Sequence, residues 1–144
     1  MRYAYIIKCV NVVKNTDGEI VEVHCTYDPE TKSGTAGAEK RKIKGNIHWL
    51  SAKHAQQAKV RLYDRLFSHA HPDAGGGDYK ASLNLHSKKI ITAYVEPLLN
   101  QVKPEERFQF ERHGYFIADR QDTEPGKPVF NRAVTLRDSW GRSA

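Results

Sequence analysis

Ile20 to Tyr27 alternates without a break: Val21, Val23, Cys25 and Tyr27 fall on one side of an extended chain, and Glu22, His24 and Thr26 fall on the other. A period of two is the pattern of a β-strand with one apolar face, whereas a helix would scatter those four residues around its circumference. Upstream, Tyr3 to Val13 is rich in aromatic and β-branched residues. Between the two runs, Asn15-Thr16-Asp17-Gly18 supplies the chemistry of a tight turn. The first 27 residues therefore predict a β-hairpin, and a chain that opens this way is constrained to a β-rich architecture.

The remaining segments extend that expectation. Pro29 to Ala38 carries Thr, Ser and Gly and reads as a surface loop. Arg41 to Trp49 predicts a strand with Ile43, Ile47 and Trp49 on one side and Lys42, Lys44, Asn46 and His48 on the other. That polar side is either a solvated face or a basic contact surface. Ser51 to Ala58 predicts a short helix with Ser51 as N-cap. Val60 to Phe67 fits a helix and a strand equally, and periodicity leaves both open. His69 to Asn84, with Gly75-Gly76-Gly77, reads as a loop, and Ile90 to Glu96 as a strand stopped at Pro97. Leu98 to Val102 reads as a helical turn before Pro104. Phe108-Gln109-Phe110 and Tyr115-Phe116-Ile117 predict a second hairpin around Glu111-Arg112-His113-Gly114, and Val129 to Leu136 a last strand. The expected fold class is all-β with short helices, arranged as small or incomplete antiparallel β-barrels, most simply two.

Composition bounds the function. At 144 residues the chain is one ordinary domain or two very small ones, and 28% charged against 39% hydrophobic residues suits a soluble, folded protein. No apolar run approaches the ~20 residues of a bilayer span, and the N-terminal residues lack the apolar stretch of a signal peptide, so a cytoplasmic location is expected. Twenty-three basic against 17 acidic residues give a net charge of +6, and the pI near 9.3 suits a polyanionic partner. Residues 1–72 carry +5 of that excess and residues 73–144 only +1. Two cysteines, Cys9 and Cys25, are too few for a disulfide framework and are expected as reduced, buried thiols that face each other across the first hairpin.

Catalytic motifs are missing. Gly126-Lys127-Pro128 lacks the upstream glycine and the following Ser or Thr of a phosphate-binding loop. His69 and His71 have no cysteine or carboxylate at metal-ligand spacing, and no Ser or Cys sits in a nucleophile-elbow context. Arg61 to Asp73 ends in His71-Pro72-Asp73 and resembles the J-domain of Hsp70 co-chaperones, in which a basic helix runs into that tripeptide. Gln109 and Arg112 stand three apart at a predicted strand end and turn. A Gln carboxamide offers a donor and an acceptor to a base edge, and an Arg fork offers a bidentate pair to a base or phosphate. The plainer alternative is that Arg112 pairs with Glu105, Glu106 or Glu111 at the surface. Arg2 has an equally plain alternative as a solvated terminal cation.

Five blocks in order carry a wider resemblance: Arg2 to Cys9, Lys42 to Ser51, Arg61 to Phe67, Phe108 to Phe116, and Lys127 to Arg132. They resemble the C-terminal anticodon-binding region of the bacterial glutaminyl-tRNA synthetases across nearly the whole chain. The archaeal and eukaryotic glutamyl-tRNA synthetases share that architecture, and the free-standing ribosomal protein L25, which binds 5S RNA, shares the barrel type. The resemblance implies two L25-like β-barrels that splay the anticodon of a glutamine tRNA and read its bases in separate pockets. By position it places Arg2 near the first anticodon base and Gln109 and Arg112 around the middle one. Ser139 stands where the family has a threonine near the loop. It also implies residues 3–96 as mostly the distal barrel and 97–144 as the remainder of the proximal one. Catalysis, with ATP and magnesium, belongs in the family to a separate class I domain whose HIGH-like and KMSKS-like signatures are absent here. No cofactor, metal, membrane or DNA partner is therefore expected for these residues. Because the family's barrel begins before Arg2, Met1 reads as the engineered start of a fragment, and self-association through exposed barrel edges is expected.

Overall fold

The computed structural model describes residues 1–74 and 76–136. Packing separates the chain into two compact units, Met1–Trp49 and the residues from Leu50 onward. The 96/97 boundary expected from the sequence lies inside the second.

The first unit is built on β1 (Ile7–Lys14) and β2 (Ile20–Tyr27), paired antiparallel as the alternation predicts. Gly18 turns the chain at φ 82, a left-handed conformation that glycine adopts without cost. Asn15 Oδ1 accepts from the backbone N–H groups of Asp17 and Glu19 at 3.0 and 2.9 Å, which closes the turn. The register shifts between Cys9 and Asn11, a β-bulge that keeps the apolar residues on one side. Cys9 lies opposite Cys25 as expected, but both thiols are free and exposed rather than buried. The reason is that nothing within this unit forms a second layer over the hairpin, and every residue of β2 is exposed.

Beyond the hairpin, Asp28 caps a 3-10 turn at Pro29–Thr31, accepting from Glu30 N–H. The buried Thr31 hydroxyl accepts from Ile6 N–H at 3.0 Å and donates to the Asp28 carbonyl at 2.7 Å. A four-residue helix, α1 (Ala36–Glu39), occupies the expected loop. The strand expected at Arg41–Trp49 does not form: the segment is irregular, and Ile43, Ile47 and Trp49 are all exposed. Its alternation found no neighbouring ladder to satisfy the backbone, and a strand without a partner leaves its N–H and C=O groups unpaired. Arg41 pairs with Asp28 at 3.0 Å, and hydrogen bonds to the chain start tether it further on. Arg2 N–H donates to the Ile47 carbonyl at 3.0 Å, and Trp49 Nε1 donates to the Arg2 carbonyl at 2.9 Å.

The second unit is a five-stranded sheet made of β3 (Gln56–Tyr63), β4 (Lys88–Val95), β5 (Arg107–Phe110), β6 (Gly114–Ala118) and β7 (Val129–Val134). The order is β4-β3-β7-β6-β5, antiparallel throughout except for the parallel β3–β7 pair. The helix expected from Ser51 is only a turn, in which Ala55 N–H donates to the Ser51 carbonyl at 2.8 Å. Gln56 onward is drawn into β3 because Ala58, Val60 and Leu62 alternate onto the core. The same pairing resolves Val60–Tyr63 as strand. Short 3-10 turns lie at Tyr79–Ser82 and Pro97–Gln101, the latter where a helical turn was expected.

One face of this sheet carries the core: Ala58, Val60, Val95, Phe116, Ala118 and Phe130, joined by Val102. Phe130 is completely buried, with its ring edge-on to Phe108 at 5.8 Å and to Phe110 at 5.1 Å between centroids. The protein is thus mainly β with few short helices, and neither sheet closes on itself among the described residues. Among those residues no helix is long and apolar enough to cross a membrane.

Candidate nucleic-acid interface

The core face of the β5–β6 hairpin decides what its other face presents. Phe108, Phe110, Phe116 and Ala118 point into the apolar cluster. Strand alternation then places Arg107, Gln109, Tyr115 and Ile117 together on the opposite side. The register pairs Gln109 directly with Tyr115 and Arg107 with Ile117. These four, with Ala133 of β7, line an open groove. Arg107, Gln109 and Tyr115 are exposed.

The turn beyond the groove is held in an unusual conformation. Arg112 has φ 64, in the left-handed region that side-chain-bearing residues rarely visit, and His113 N–H donates to the Phe110 carbonyl at 2.9 Å. Gly114 follows at φ 138, and a Cβ there would lie 2.5 Å from the Val134 carbonyl oxygen. Only glycine lets β6 approach β7 this closely, and the approach fixes the tip that carries Arg112. Gln109 and Arg112 are therefore brought onto one hairpin, as the sequence predicted. The stacked Phe110 and Phe116 rings, 4.5 Å between centroids, anchor that hairpin from behind.

Arg2 belongs to the first unit. It is exposed, its guanidinium lies 5.0 Å from the Tyr3 ring, and its backbone is fixed by Ile47 and Trp49 as described. Ser139 lies outside the described residues. The basic helix that a co-chaperone would need is absent, because Arg61–Tyr63 ends a β-strand and His71-Pro72-Asp73 follows in irregular chain. Among the described residues no group of three or more His, Cys, Asp or Glu side chains is arranged to hold a metal ion.

A polar network on the groove face of the same sheet, where the register sets Asn131 beside both Ile117 and Arg61, escaped sequence reasoning. Arg61 of β3 reaches Asp119 at 2.8 Å and also Asp122, and Asn131 Nδ2 donates to Asp119 Oδ2 at 2.7 Å. Tyr63 Oη donates in turn to Asn131 Oδ1 at 2.9 Å. The Asn131 hydrogen bond, helped by backbone N–H donors and the Arg61 charge, holds the Asp119 carboxyl below its ordinary pKa. The hydrogen bond to Asp122 raises Arg61 further, against its partial burial. No local spacing announces these contacts, since their partners lie 58 and 61 residues apart. The groove residues Arg107 and Tyr115 did leave a trace, the shared alternation of the two hairpin strands.

Residues 46–119 match the family described as tRNA synthetases class I (E and Q), anti-codon binding domain. The chain belongs to that family. This anticodon-binding domain is 64% identical over 140 residues to the glutamine–tRNA ligase of Nitrosomonas europaea, and 62% identical over 142 residues to that of Cupriavidus metallidurans. The matches cover 97% and 99% of the chain but only 25% and 24% of those relatives. The chain thus spans about a quarter of the length of the curated relatives it matches.

Proposed function

We propose that these residues are the anticodon-reading part of a glutamine–tRNA ligase, and that they bind the anticodon loop of a glutamine tRNA in the cytoplasm. Single-stranded loops are where RNA exposes base edges, because the A-form major groove is too deep and narrow for side chains. The observation that carries this reading is the β5–β6 hairpin. It presents the Gln109 carboxamide and the Arg112 guanidinium from a tip fixed by an aromatic core and a close backbone approach, so the backbone that carries them does not have to be ordered on binding. In this proposal Gln109 and Arg112 read the middle anticodon base and Arg2 acts near the first. Ser139 contributes a hydroxyl near the loop.

The +6 charge supplies sequence-independent attraction to phosphates. The two open sheets are read as pieces of two L25-like barrels whose other strands come from the rest of such a ligase, and their free edges are where copies of the isolated chain would associate. Aminoacylation itself, with ATP and magnesium, would take place on a catalytic domain outside these residues.

Competition between RNA stem-loops tests the reading. A stem-loop carrying a glutamine anticodon should bind the chain more tightly than loops altered at single anticodon positions. Arg112→Ala should erase the preference at the middle base, at a cost of about 1–3 kcal/mol. Equal affinity for all loops, before and after the substitution, overturns it.

A further inference from the structure

We infer that Tyr115 is a stacking platform for an unpaired nucleobase and that Arg107 holds the adjoining phosphate, so that the groove behind Gln109 is a base-binding slot. The inference rests on the anticodon-loop reading above and adds two residues to it.

Three observations carry it. First, Tyr115 lies directly across the ladder from Gln109, and cross-strand neighbours stand about 4.5–5.5 Å apart at Cβ. A base hydrogen-bonded to the Gln109 carboxamide is therefore within reach of the Tyr115 ring. Second, Tyr115 is 46% exposed although its neighbours along β6, Gly114 and Phe116, are buried. A large aromatic ring presented on a rigid strand, facing an open groove floored by Ile117 and Ala133, is the arrangement on which bases stack. Third, Arg107 precedes Gln109 by two residues on the same strand face and borders the same groove. No acidic side chain lines that groove, and the nearby Asp119 and Asp122 carboxylates on the same face are already paired with Arg61, so a phosphate entering beside the base meets the Arg107 guanidinium. Every base has a π-face, whereas only some edges complement a carboxamide. Tyr115 accordingly supplies affinity and Gln109 supplies choice.

The test uses the 144-residue chain and stem-loop RNAs with a glutamine anticodon, each carrying 2-aminopurine at one loop position in turn. Stacking on Tyr115 should quench the fluorescence at a single position. Tyr115→Phe should keep both the quench and an affinity within about twofold, because the ring carries the contact. Tyr115→Ala should release the quench and weaken binding by about 5- to 100-fold with an unchanged melting temperature. Arg107→Gln should leave the quench in place and lower the slope of log affinity against log salt by ~0.7, the share of one phosphate. If the parent chain binds and discriminates loops while Tyr115→Ala binds equally well, the stacking role is wrong and the anticodon reading stands. If the parent chain discriminates no loops, the anticodon reading fails and takes this inference with it.

Discussion

The two units use the same strand chemistry and reach opposite states of packing. In the second, the inner residues of five strands converge on Phe130, and every buried apolar side chain of the described residues belongs to it. In the first, β1 and β2 pair over their full length, yet Val12, Val21, Val23 and Tyr27 remain 38 to 62% exposed. Thr31 is the buried residue there, and it works through hydrogen bonds rather than apolar contact. A ladder fixes which residues share a face, but the stability of that face comes from the layer that covers it, and a lone two-stranded hairpin is marginal in water. For the proposed recognition the difference matters, because Gln109 and Arg112 stand on the packed unit, with the Phe108, Phe110 and Phe116 rings packed behind their hairpin.

The hardest break in that comparison is Phe130→Ala. It empties a site that Phe108 and Phe110 meet edge-on, and truncations of buried Phe cost about 3–5 kcal/mol. Chemical denaturation should show that loss in the five-stranded unit, while amide exchange in β1 and β2 keeps its parent rates. Equal acceleration in both units would show that they share one cooperative core.

What the sequence made legible follows the same division between local and distant causes. Both hairpins could be read because a period of two and a turn are written within one short stretch of chain, Ile7–Tyr27 and Arg107–Ala118. Arg41–Trp49 shows the limit: Ile43, Ile47 and Trp49 alternate with polar residues apart from the gap at Gly45, but periodicity records which side chains share a side and says nothing about whether the backbone finds a ladder. β3 was ambiguous for the complementary reason, since its parallel partner β7 begins at Val129 and no spacing near Val60 points there. In the site, the hairpin that carries Gln109 and Arg112 was legible, whereas the spacing left their role open and only the family resemblance suggested it. The Arg61 network was not legible, because its members meet only through the sheet order.

A smaller break probes the hydrogen-bonded unit. Thr31→Val keeps the shape of the side chain but removes the acceptor for Ile6 N–H and the donor to the Asp28 carbonyl. A buried N–H left without a partner costs about 1–3 kcal/mol. Amide exchange at Ile6 and along the start of β1 should accelerate accordingly. Protection in β3 and β7 should not change, the mirror image of the Phe130→Ala result.

The smallest effect separates the units by pH. Asp119 has its pKa lowered in the fold, chiefly by the Asn131 hydrogen bond, so its ionised form is favoured by the native state. That contribution is fully present above the unfolded value of about 3.9 and is lost as pH falls below it through the lower folded value. Asp119→Asn should therefore lower the melting temperature of the five-stranded unit at pH 6, and the gap to the parent should close as pH approaches 3. The loss should stay near ~1 kcal/mol, since Asp122 still pairs with Arg61 and the new amide oxygen still accepts from the Gln121 and Asp122 N–H groups. Asp119 and its partners Asn131 and Arg61 all belong to the five-stranded unit, so amide exchange in β1 and β2, corrected for the intrinsic rate, should not follow that acid limb. A gap that stays constant from pH 6 to pH 3 would mean that Asp119 acts through its shape and not through its charge.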